Sequence, residues 1–215
     1  MTSNSTYPRN RRALVEAGRS LSQSGVMSHT GHINFSARLD DERMLMTSTG
    51  LVQEMEPDAL AVVRLDGRVE DGELTPSTQQ IVPMHSAVYR ARGGVAAVVH
   101  THSPHLTAFA LAARALPCRY EPLLRLGQIE AVPVVAWAPR GSDAFVAGVE
   151  QALALYPGTL ALLLANHGLL GFGSSPAVAA KLVILLEEAA EAELRAAALG
   201  GAKDFPLAAT EEVLP

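Results

Sequence analysis

The chain has 215 residues, of which 48% are hydrophobic and 18% charged, and its formal net charge is -5 at pH 7. This size and composition predict one globular domain with a substantial core, and scattered charges without a basic block exclude nucleic acid as an expected partner. The single cysteine, Cys118, excludes an internal disulfide framework and indicates a reducing compartment.

The ends and the apolar runs of the chain indicate a cytoplasmic protein. The N-terminus is polar and then basic, and an amphipathic pattern follows it, so we expect no signal peptide. The longest wholly apolar run covers 160–165, whereas crossing a bilayer needs about 20 residues. We therefore expect a cytoplasmic location and no membrane partner.

The predicted elements mix helices and strands without strict alternation. Helical spacing predicts a first helix over 9–24, and alternating apolar residues predict strands over 33–39 and 43–48. The Asp66-Gly67 pair predicts a turn between two strands within 60–69. The remaining predicted elements are helices at 79–92, 104–114, 142–156 and 175–199 and strands at 95–103, 131–137 and 159–168.

This mixture of elements predicts the α/β class, with a central, largely antiparallel sheet and helices on both faces. No repeat, low-complexity segment or interior linker interrupts the chain. We therefore expect a single domain over 1–215, with a core over about 9–200 and a tail over 201–215.

Three histidines fall within six residues of "VVHTHSPH" at 98–105, directly after an apolar run. Residues i and i+2 of a strand face the same way, so we expect His100 and His102 on one face at a strand end. Another buried strand ends in His167, and two such strands side by side would bring three imidazoles together. Three protein ligands with an open position are typical of a catalytic metal site. The alternative is a pair of strand-end histidines held by hydrogen bonds.

Sequence spacing gives weaker predictions for the roles of the other histidines. His105 could contact the substrate or the metal, and His85 fits a packed or hydrogen-bonded helix residue. His29 and His32 lie in the loop before the first strand, where each could line a pocket or be exposed.

Short motifs along most of the chain occur in an order that indicates a known family. They are "INFSAR", "MTSTG", "GELTPST" and "VVHTHSPH", followed about sixty-five residues later by "ANHG". Any one of them is a weak signal, whereas the ordered set is strong. Over roughly 9–200 the chain resembles the class II aldolase/adducin family, in particular its L-fuculose-1-phosphate aldolase members.

The resemblance implies a three-layer α-β-α sandwich whose antiparallel sheet has about nine strands, and a homotetramer with sites between subunits. It implies that His100, His102 and His167 bind a divalent ion, most often Zn²⁺, with Mn²⁺, Co²⁺ or Fe²⁺ as alternatives. His32 is a candidate for the substrate pocket. Small hydroxyls, an amide and a glycine suit an anion, and the implied phosphate-binding residues are Asn34, Thr49, Gly50, Ser77 and Thr78.

The chain departs from the family where proton transfer is expected. The family's sugar-phosphate aldolases have an acid/base glutamate directly after the loop that corresponds to "GELTPST" in this chain. Here that position is Gln79 counted forward from the loop, or Ile81 counted back from His85, and neither can exchange a proton near neutral pH. Glu73, a few residues upstream, is another candidate.

Two further departures concern a tyrosine and a glycine. The family's fuculose-phosphate aldolase uses two tyrosines. One lies in the loop after the strand that carries the first two metal-binding histidines, where this chain offers Tyr120 or Glu121. The other lies near the C-terminus. This chain has no tyrosine after Tyr156. Ile33 stands before Asn34, where the family commonly has glycine, so the backbone has less freedom to approach a phosphate.

A three-histidine metal can hold two oxygens of a substrate and stabilise an enediolate when a neighbouring carbon–carbon bond breaks. The chain is therefore predicted to be a metal-dependent lyase for a small hydroxy-ketone resembling a sugar phosphate, with aldolase as the leading activity. Decarboxylation of a keto acid, hydroxy acid or dihydroxy-aromatic acid is the alternative, since it needs no base on the carboxylate. The two remaining hypotheses for the function are a non-catalytic adducin-like module and an iron oxygenase.

Overall fold

An eight-stranded sheet forms the centre of the computed structural model, which describes residues 6–206 and residue 213. The strands are β1 (Ile33–Arg38), β2 (Arg43–Thr47), β3 (Leu60–Arg64), β4 (Val69–Asp71), β5 (Ala97–Thr101), β6 (Val134–Val135), β7 (Ala161–Leu164) and β8 (Gly168–Gly173). Their order is β4-β3-β2-β1-β5-β8-β7-β6, and only the β6–β7 pair is parallel. The predicted α/β class and mainly antiparallel sheet are confirmed, with eight strands where about nine were expected.

Seven helices cover the two faces of this sheet within the described residues. They are α1 (Pro8–Gln23), α2 (Pro76–Gln79), α3 (Val82–Ala91), α4 (Pro104–Leu111), α5 (Glu121–Leu126), α6 (Asp143–Leu155) and α7 (Pro176–Ala196). Apolar residues of α1, α4 and α7 form a core with one face, and those of α3 and α6 form a second core with the other. The result is the expected three-layer sandwich.

Side-chain alternation along the central strands divides their residues between the two cores. In β1, Phe35 lies in the core under α1 and α7, whereas Ser36 points toward α3. There the Ser36 hydroxyl lies 2.8 Å from His85 Nδ1 and 2.9 Å from the Tyr89 hydroxyl. Arg38 donates to the Tyr89 carbonyl at 2.6 Å. The serine and arginine of "INFSAR" therefore hold α3 against the sheet.

The register of the three central strands places the candidate site at one end of the sheet. Asn34 of β1 pairs with His100 of β5, which pairs with Leu170 of β8. Because β5 and β8 are antiparallel, the end of β5 lies beside the start of β8, which directly follows His167. The expectation that two histidine-ended strands lie side by side was wrong in this detail, because β8 separates β7 from β5.

Two sequence predictions change at the boundaries of elements. The helix expected over 79–92 begins later, as α3 at Val82, and the separate short helix α2 (Pro76–Gln79) lies before it, mostly in the stretch predicted as a loop. Of the predicted tail over 201–215, only 201–206 and residue 213 lie within the described part, and the single-domain boundaries stay a prediction. No helix in the described part of the chain is long and apolar enough to cross a bilayer, and the cytoplasmic location stays a prediction.

Candidate metal centre

Four imidazoles meet at the end of the central strands. The Nε2 atoms of His100 and His102 lie 3.1 Å apart. The His167 ring centroid lies 4.6 Å from that of His100 and 4.9 Å from that of His102. The His32 ring stacks on His102 with a centroid distance of 4.3 Å and an interplanar angle of 18°. The structure thus brings together the three predicted ligands and adds His32, which the sequence indicated only as a pocket residue.

Each histidine reaches the cluster through its strand position. His100 is the fourth residue of β5, and His102 follows the last residue of that strand. His167 lies in the β7–β8 turn, where its amide donates to the Leu164 carbonyl at 3.0 Å and Asn166 adopts a positive φ of 57°. His32 directly precedes β1.

The hydrogen bond of His100 determines which of its ring nitrogens is available to bind a metal ion. Its Nδ1 donates to the Leu169 carbonyl oxygen at 2.7 Å, because a carbonyl oxygen only accepts. The unprotonated Nε2 therefore directs its lone pair toward His102. An orienting hydrogen bond from the second ring nitrogen is common among metal-binding histidines.

Burial keeps the imidazoles of the cluster neutral. It lowers the pKa of His100 well below its ordinary value and the pKa of His102 to about 4. Burial is also the main cause of the lowered pKa values of His32 and His167, followed in each case by the positive charge of Arg140. A metal ion binds only the neutral form of imidazole, so the rings are in the form that a cation requires.

The geometry fits a divalent ion with nitrogen ligands. Two nitrogens bound to one tetrahedral Zn²⁺ lie roughly 3.3 Å apart, close to the 3.1 Å between His100 and His102. Ring nitrogens of His32, His100 and His102 all lie within 4.8 Å of one another. His167 is not in that nitrogen triplet, although its ring centroid is as close to His100 and His102 as theirs are to each other. The donor set is imidazole throughout, which suits Zn²⁺, Co²⁺ or Fe²⁺ better than Mg²⁺.

A buried amide without partners lies beside the imidazoles. Asn34 is fully buried, and neither its Nδ2 nor its Oδ1 has a hydrogen-bond partner among the described residues. The amide lies close to His32, where it opposes the lowering of the histidine pKa, but the contact is not a hydrogen bond. An unpaired buried amide costs roughly 1–3 kcal/mol. A bound substrate group that accepts from Nδ2 would remove this cost.

The other predicted phosphate-binding residues lie in two joined loops. The Thr75 amide donates to the Ser48 carbonyl at 3.0 Å, which connects the loop of Thr49 and Gly50 with α2. The Thr75 hydroxyl caps α2, lying 3.0 Å from the Ser77 hydroxyl and 2.9 Å from the Thr78 hydroxyl. Ser77 is exposed, whereas Thr78 is buried.

Arg140 is a site residue that sequence reasoning missed. Its Nη2 donates to the Ser77 carbonyl at 2.7 Å, and its charge contributes to the lowered pKa values of His32, His102 and His167. Arg140 also lines a pocket of about 280 Å³ together with Trp137, Asn166 and His167. A lone arginine in a loop carries no sequence signature, so only the folded chain identifies it.

None of the predicted acid/base residues forms a hydrogen bond with a clustered imidazole among the described residues. Gln79 is exposed and donates its side-chain amide to the Gly67 carbonyl at 3.0 Å, and Ile81 is buried in the core under α3. Glu73 lies exposed in the loop before α2. The Tyr120 hydroxyl donates to Glu188 on α7 at 3.1 Å. The Glu121 carboxylate accepts from Arg125 on α5 at 2.9 Å.

Two of the remaining histidines are also outside the cluster. His105 Nδ1 bonds to the Glu187 carboxylate at 2.9 Å, and the same carboxylate accepts from the His105 amide. His29 is exposed. His105 therefore connects α4 to α7 and provides a useful control for the clustered histidines.

The position of Gln79 leads to a direct test of the loop assignment. Replacing Gln79 with alanine is expected to leave the metal content of the protein unchanged, because its side chain bonds to the Gly67 carbonyl and not to an imidazole. Elemental analysis of the purified variant measures this. Loss of metal would show that Gln79 belongs to the centre.

The layered fold and the imidazole cluster together define the class of the protein, an α/β protein with a candidate metal centre. A family model described as the class II aldolase and adducin N-terminal domain matches residues 12–194. The chain belongs to the class II aldolase/adducin family, whose enzymes depend on divalent metal ions.

Several relatives with named activities cover most of the chain. It is 29% identical over 205 residues to a 5-methylthioribulose-1-phosphate/5-deoxyribulose-1-phosphate aldolase of Rhodospirillum rubrum, covering 95% of this chain and 89% of the relative. It is 32% identical over 190 residues to a methylthioribulose-1-phosphate dehydratase of Methylococcus capsulatus, covering 85% and 91%. A 3-oxo-tetronate 4-phosphate decarboxylase of Haemophilus influenzae is 31% identical over 185 residues, covering 83% of each.

A solved structure of an L-fuculose 1-phosphate aldolase shows the same fold. Its TM-score is 0.82 at 24% identity, covering 99% of this chain and 96% of that one. Aldolases, dehydratases and decarboxylases are all lyases, so the predicted lyase class and the family resemblance are confirmed.

Proposed function

We propose that the protein is a divalent-metal-dependent lyase that cleaves a phosphorylated hydroxy-ketone, with aldol cleavage as its leading activity. The observation that carries the proposal is the convergence of His100, His102 and His167, whose ring centroids lie 4.6–5.0 Å apart. We assign these three histidines as ligands of Zn²⁺, with Mn²⁺, Co²⁺ and Fe²⁺ as alternatives. When bound, such an ion supplies a Lewis acid that stabilises negative charge developing on the substrate oxygens.

The surroundings of the imidazoles support an anionic substrate. The unpartnered Asn34 amide offers a donor beside His32, and the Arg140 guanidinium adds a positive charge near His32, His102 and His167. Gly50 lies beside the Asn34 amide, and the Ser77 carbonyl accepts from Arg140. The relatives named after phosphorylated ketoses agree with a phosphate in this position.

Arg140→Ala is expected to raise KM for a phosphorylated substrate by roughly 10- to 100-fold. The reason is that a hydrogen bond to a charged group contributes about 1.5–3 kcal/mol. Steady-state kinetics measures the change, and metal content is expected to stay unchanged. Arg68→Ala is the matched control, since Arg68 forms a surface ion pair with Glu70. Equal KM values for the two variants would contradict the assignment.

Decarboxylation is the second candidate activity. It is favoured by the residues that stand where the family's aldolases have the acid/base glutamate. Gln79 and Ile81 bring no carboxylate to the imidazoles. Aldol cleavage requires a base that takes the hydroxyl proton, whereas loss of carbon dioxide requires none on the carboxylate. An acid must still deliver a proton to the product in both reactions.

We also propose a homotetramer in which Tyr120 or Glu121 acts at the site of a neighbouring subunit. Both residues lie on or beside α5, and in their own chain Tyr120 bonds to Glu188 of α7 and Glu121 to Arg125 of α5 rather than to the imidazoles. Tyr120→Phe would then lower turnover without changing metal content. Light scattering measures the assembly.

The function is tested by metal removal and trial substrates. The protein would be assayed before chelation, after chelation and after return of Zn²⁺, with 5-deoxyribulose 1-phosphate, 3-oxo-tetronate 4-phosphate and methylthioribulose 1-phosphate. We expect turnover of at least one of them that chelation abolishes and Zn²⁺ restores. Release of an aldehyde identifies the aldolase and carbon dioxide the decarboxylase.

Three results would contradict the proposed lyase. Turnover that survives chelation would show that the reaction does not require the metal ion. Protein without metal and without turnover would match an adducin-like module. Iron content with substrate-dependent oxygen consumption would match an oxygenase.

A further inference from the structure

Glu187 is a buried carboxylate in an otherwise apolar stretch of α7. It is only 5% exposed, and its helix neighbours Leu186 and Ala190 lie in the core. A buried charge costs free energy unless hydrogen bonds and an opposite charge compensate for it. The packing of α7 alone therefore does not explain a carboxylate at this position.

The partners of Glu187 lie at the start of α4. One carboxylate oxygen accepts from the His105 amide at 2.8 Å, and the other accepts from the Leu106 amide at 3.0 Å. The His105 Nδ1 donates to the first oxygen at 2.9 Å. These amides are among those at the start of a helix that have no partner inside it, and a negative charge is favourable there. Glu187 thus caps α4 from another helix.

The residue at the ordinary capping position does not satisfy these amides. Ser103 directly precedes α4, but its hydroxyl forms no capping hydrogen bond and lies 3.0 Å from the Thr101 hydroxyl. Ser103 and Thr101 are both fully buried. The start of α4 therefore depends on Glu187 for the acceptors that a serine at this position usually provides.

The turn held in this way carries His102. The register of β5 with its neighbours ends at Thr101, which pairs with Ile33 on one side and Leu169 on the other. His102 follows that strand and precedes Ser103 and α4. Its backbone is therefore fixed at one end by the sheet and at the other end by the start of α4.

We propose that Glu187 is a positioning residue, which holds the turn between β5 and α4 and thereby places the His102 ring beside His100. This inference rests on the proposed function, in which both rings bind the metal ion. His100 lies within β5 and has its own hydrogen bond to the Leu169 carbonyl, so the geometry of the pair depends on His102. Groups behind the metal ligands commonly supply such orientation.

The test is a Co²⁺ titration of metal-free protein, followed by visible absorption at a temperature well below unfolding. Glu187→Gln and Glu187→Met keep the length of the side chain but cannot offer an oxygen to each amide. Both variants are expected to weaken Co²⁺ binding by about 10-fold, the lower limit for groups that orient metal ligands, and to shift the absorption bands. Unchanged affinity and spectrum in both variants would overturn the inference.

Two control variants separate positioning from a general loss of stability. His105→Ala keeps both backbone amides that donate to Glu187, so it is expected to bind Co²⁺ like the wild type. Leu186→Ala removes a core side chain from the same helix, so it is expected to lower Tm by several degrees without changing Co²⁺ affinity or the spectrum. Equal weakening in Leu186→Ala and the Glu187 variants would reduce the effect to stability and overturn the inference.

Hydrogen exchange on the metal-free wild type tests the capping contact without any substitution. The amides of His105 and Leu106 are expected to exchange slowly, whereas amides at a helix start without an acceptor exchange quickly. Rapid exchange of both amides would show that Glu187 does not hold the turn, and the inference would be wrong.

The outcomes separate this inference from the proposed function. Loss of Co²⁺ binding in His102→Ala, with unchanged binding in both Glu187 variants, would remove only the positioning role. Full Co²⁺ binding in His100→Ala, His102→Ala and His167→Ala would overturn the three-histidine assignment, and with it the role of Glu187 in placing a ligand.

Discussion

His167→Ala is expected to remove the bound metal ion and to lower turnover by roughly a thousandfold or more. A metal ion contributes several kcal/mol of charge stabilisation to the reaction, and about 4 kcal/mol corresponds to a thousandfold in rate. Elemental analysis should give about one ion per chain for the wild type and little for the variant.

The variant should remain folded, so the loss can be attributed to the site. The His167 ring is only partly buried, and the turn is held by its amide bond to the Leu164 carbonyl, which alanine retains. His105→Ala is the control, because that ring bonds to Glu187 outside the cluster. It should keep its metal. Full metal occupancy in His167→Ala, with activity retained, would contradict the assignment.

Gly168→Ala is expected to destabilise the fold and weaken metal binding together. A Cβ at residue 168 would clash with the Thr101 carbonyl oxygen and lie 3.0 Å from His102 Cδ2. The first of these atoms is backbone of β5, so the strand must shift, and overpacking of this kind costs about 1–3 kcal/mol or more. The shift would also displace His102.

Gly171→Ala provides a matched control within the same strand. Its added Cβ would meet only side-chain carbons, at 3.5–3.7 Å, which is ordinary contact. In a chain of this size, each kcal/mol lowers Tm by about 2–4 °C, so Gly168→Ala should melt several degrees lower than Gly171→Ala. Equal melting temperatures with equal Co²⁺ affinity would show that β5 tolerates the extra methyl group.

The sequence predicted where two of the clustered histidines lie. The spacing of His100 and His102 placed both at the end of one strand, because side-chain alternation in a strand is set by the backbone itself. His167 was grouped with them for a reason that proved incomplete. The strand that ends before His167 is β7, but the residue reaches the cluster because it directly precedes β8, the neighbour of β5.

The acid/base question shows where sequence counting fails. Gln79 and Ile81 were both candidates for one aligned position, and the break between α2 and α3 separates them. One is at the surface, bonded to Gly67, and the other is in the core. An insertion in a loop changes the direction of each following side chain, which spacing alone does not reveal.

The sequence by itself determined the α/β class, the antiparallel sheet and the histidine pair, since hydrophobic period and strand alternation are local properties of the chain. Only the tertiary structure decided that β8 lies beside β5, that His32 stacks on His102 and that Arg140 lines one pocket with His167. These are contacts between residues far apart in the chain. Their free energy depends on how whole elements pack, and no short stretch of sequence contains that information.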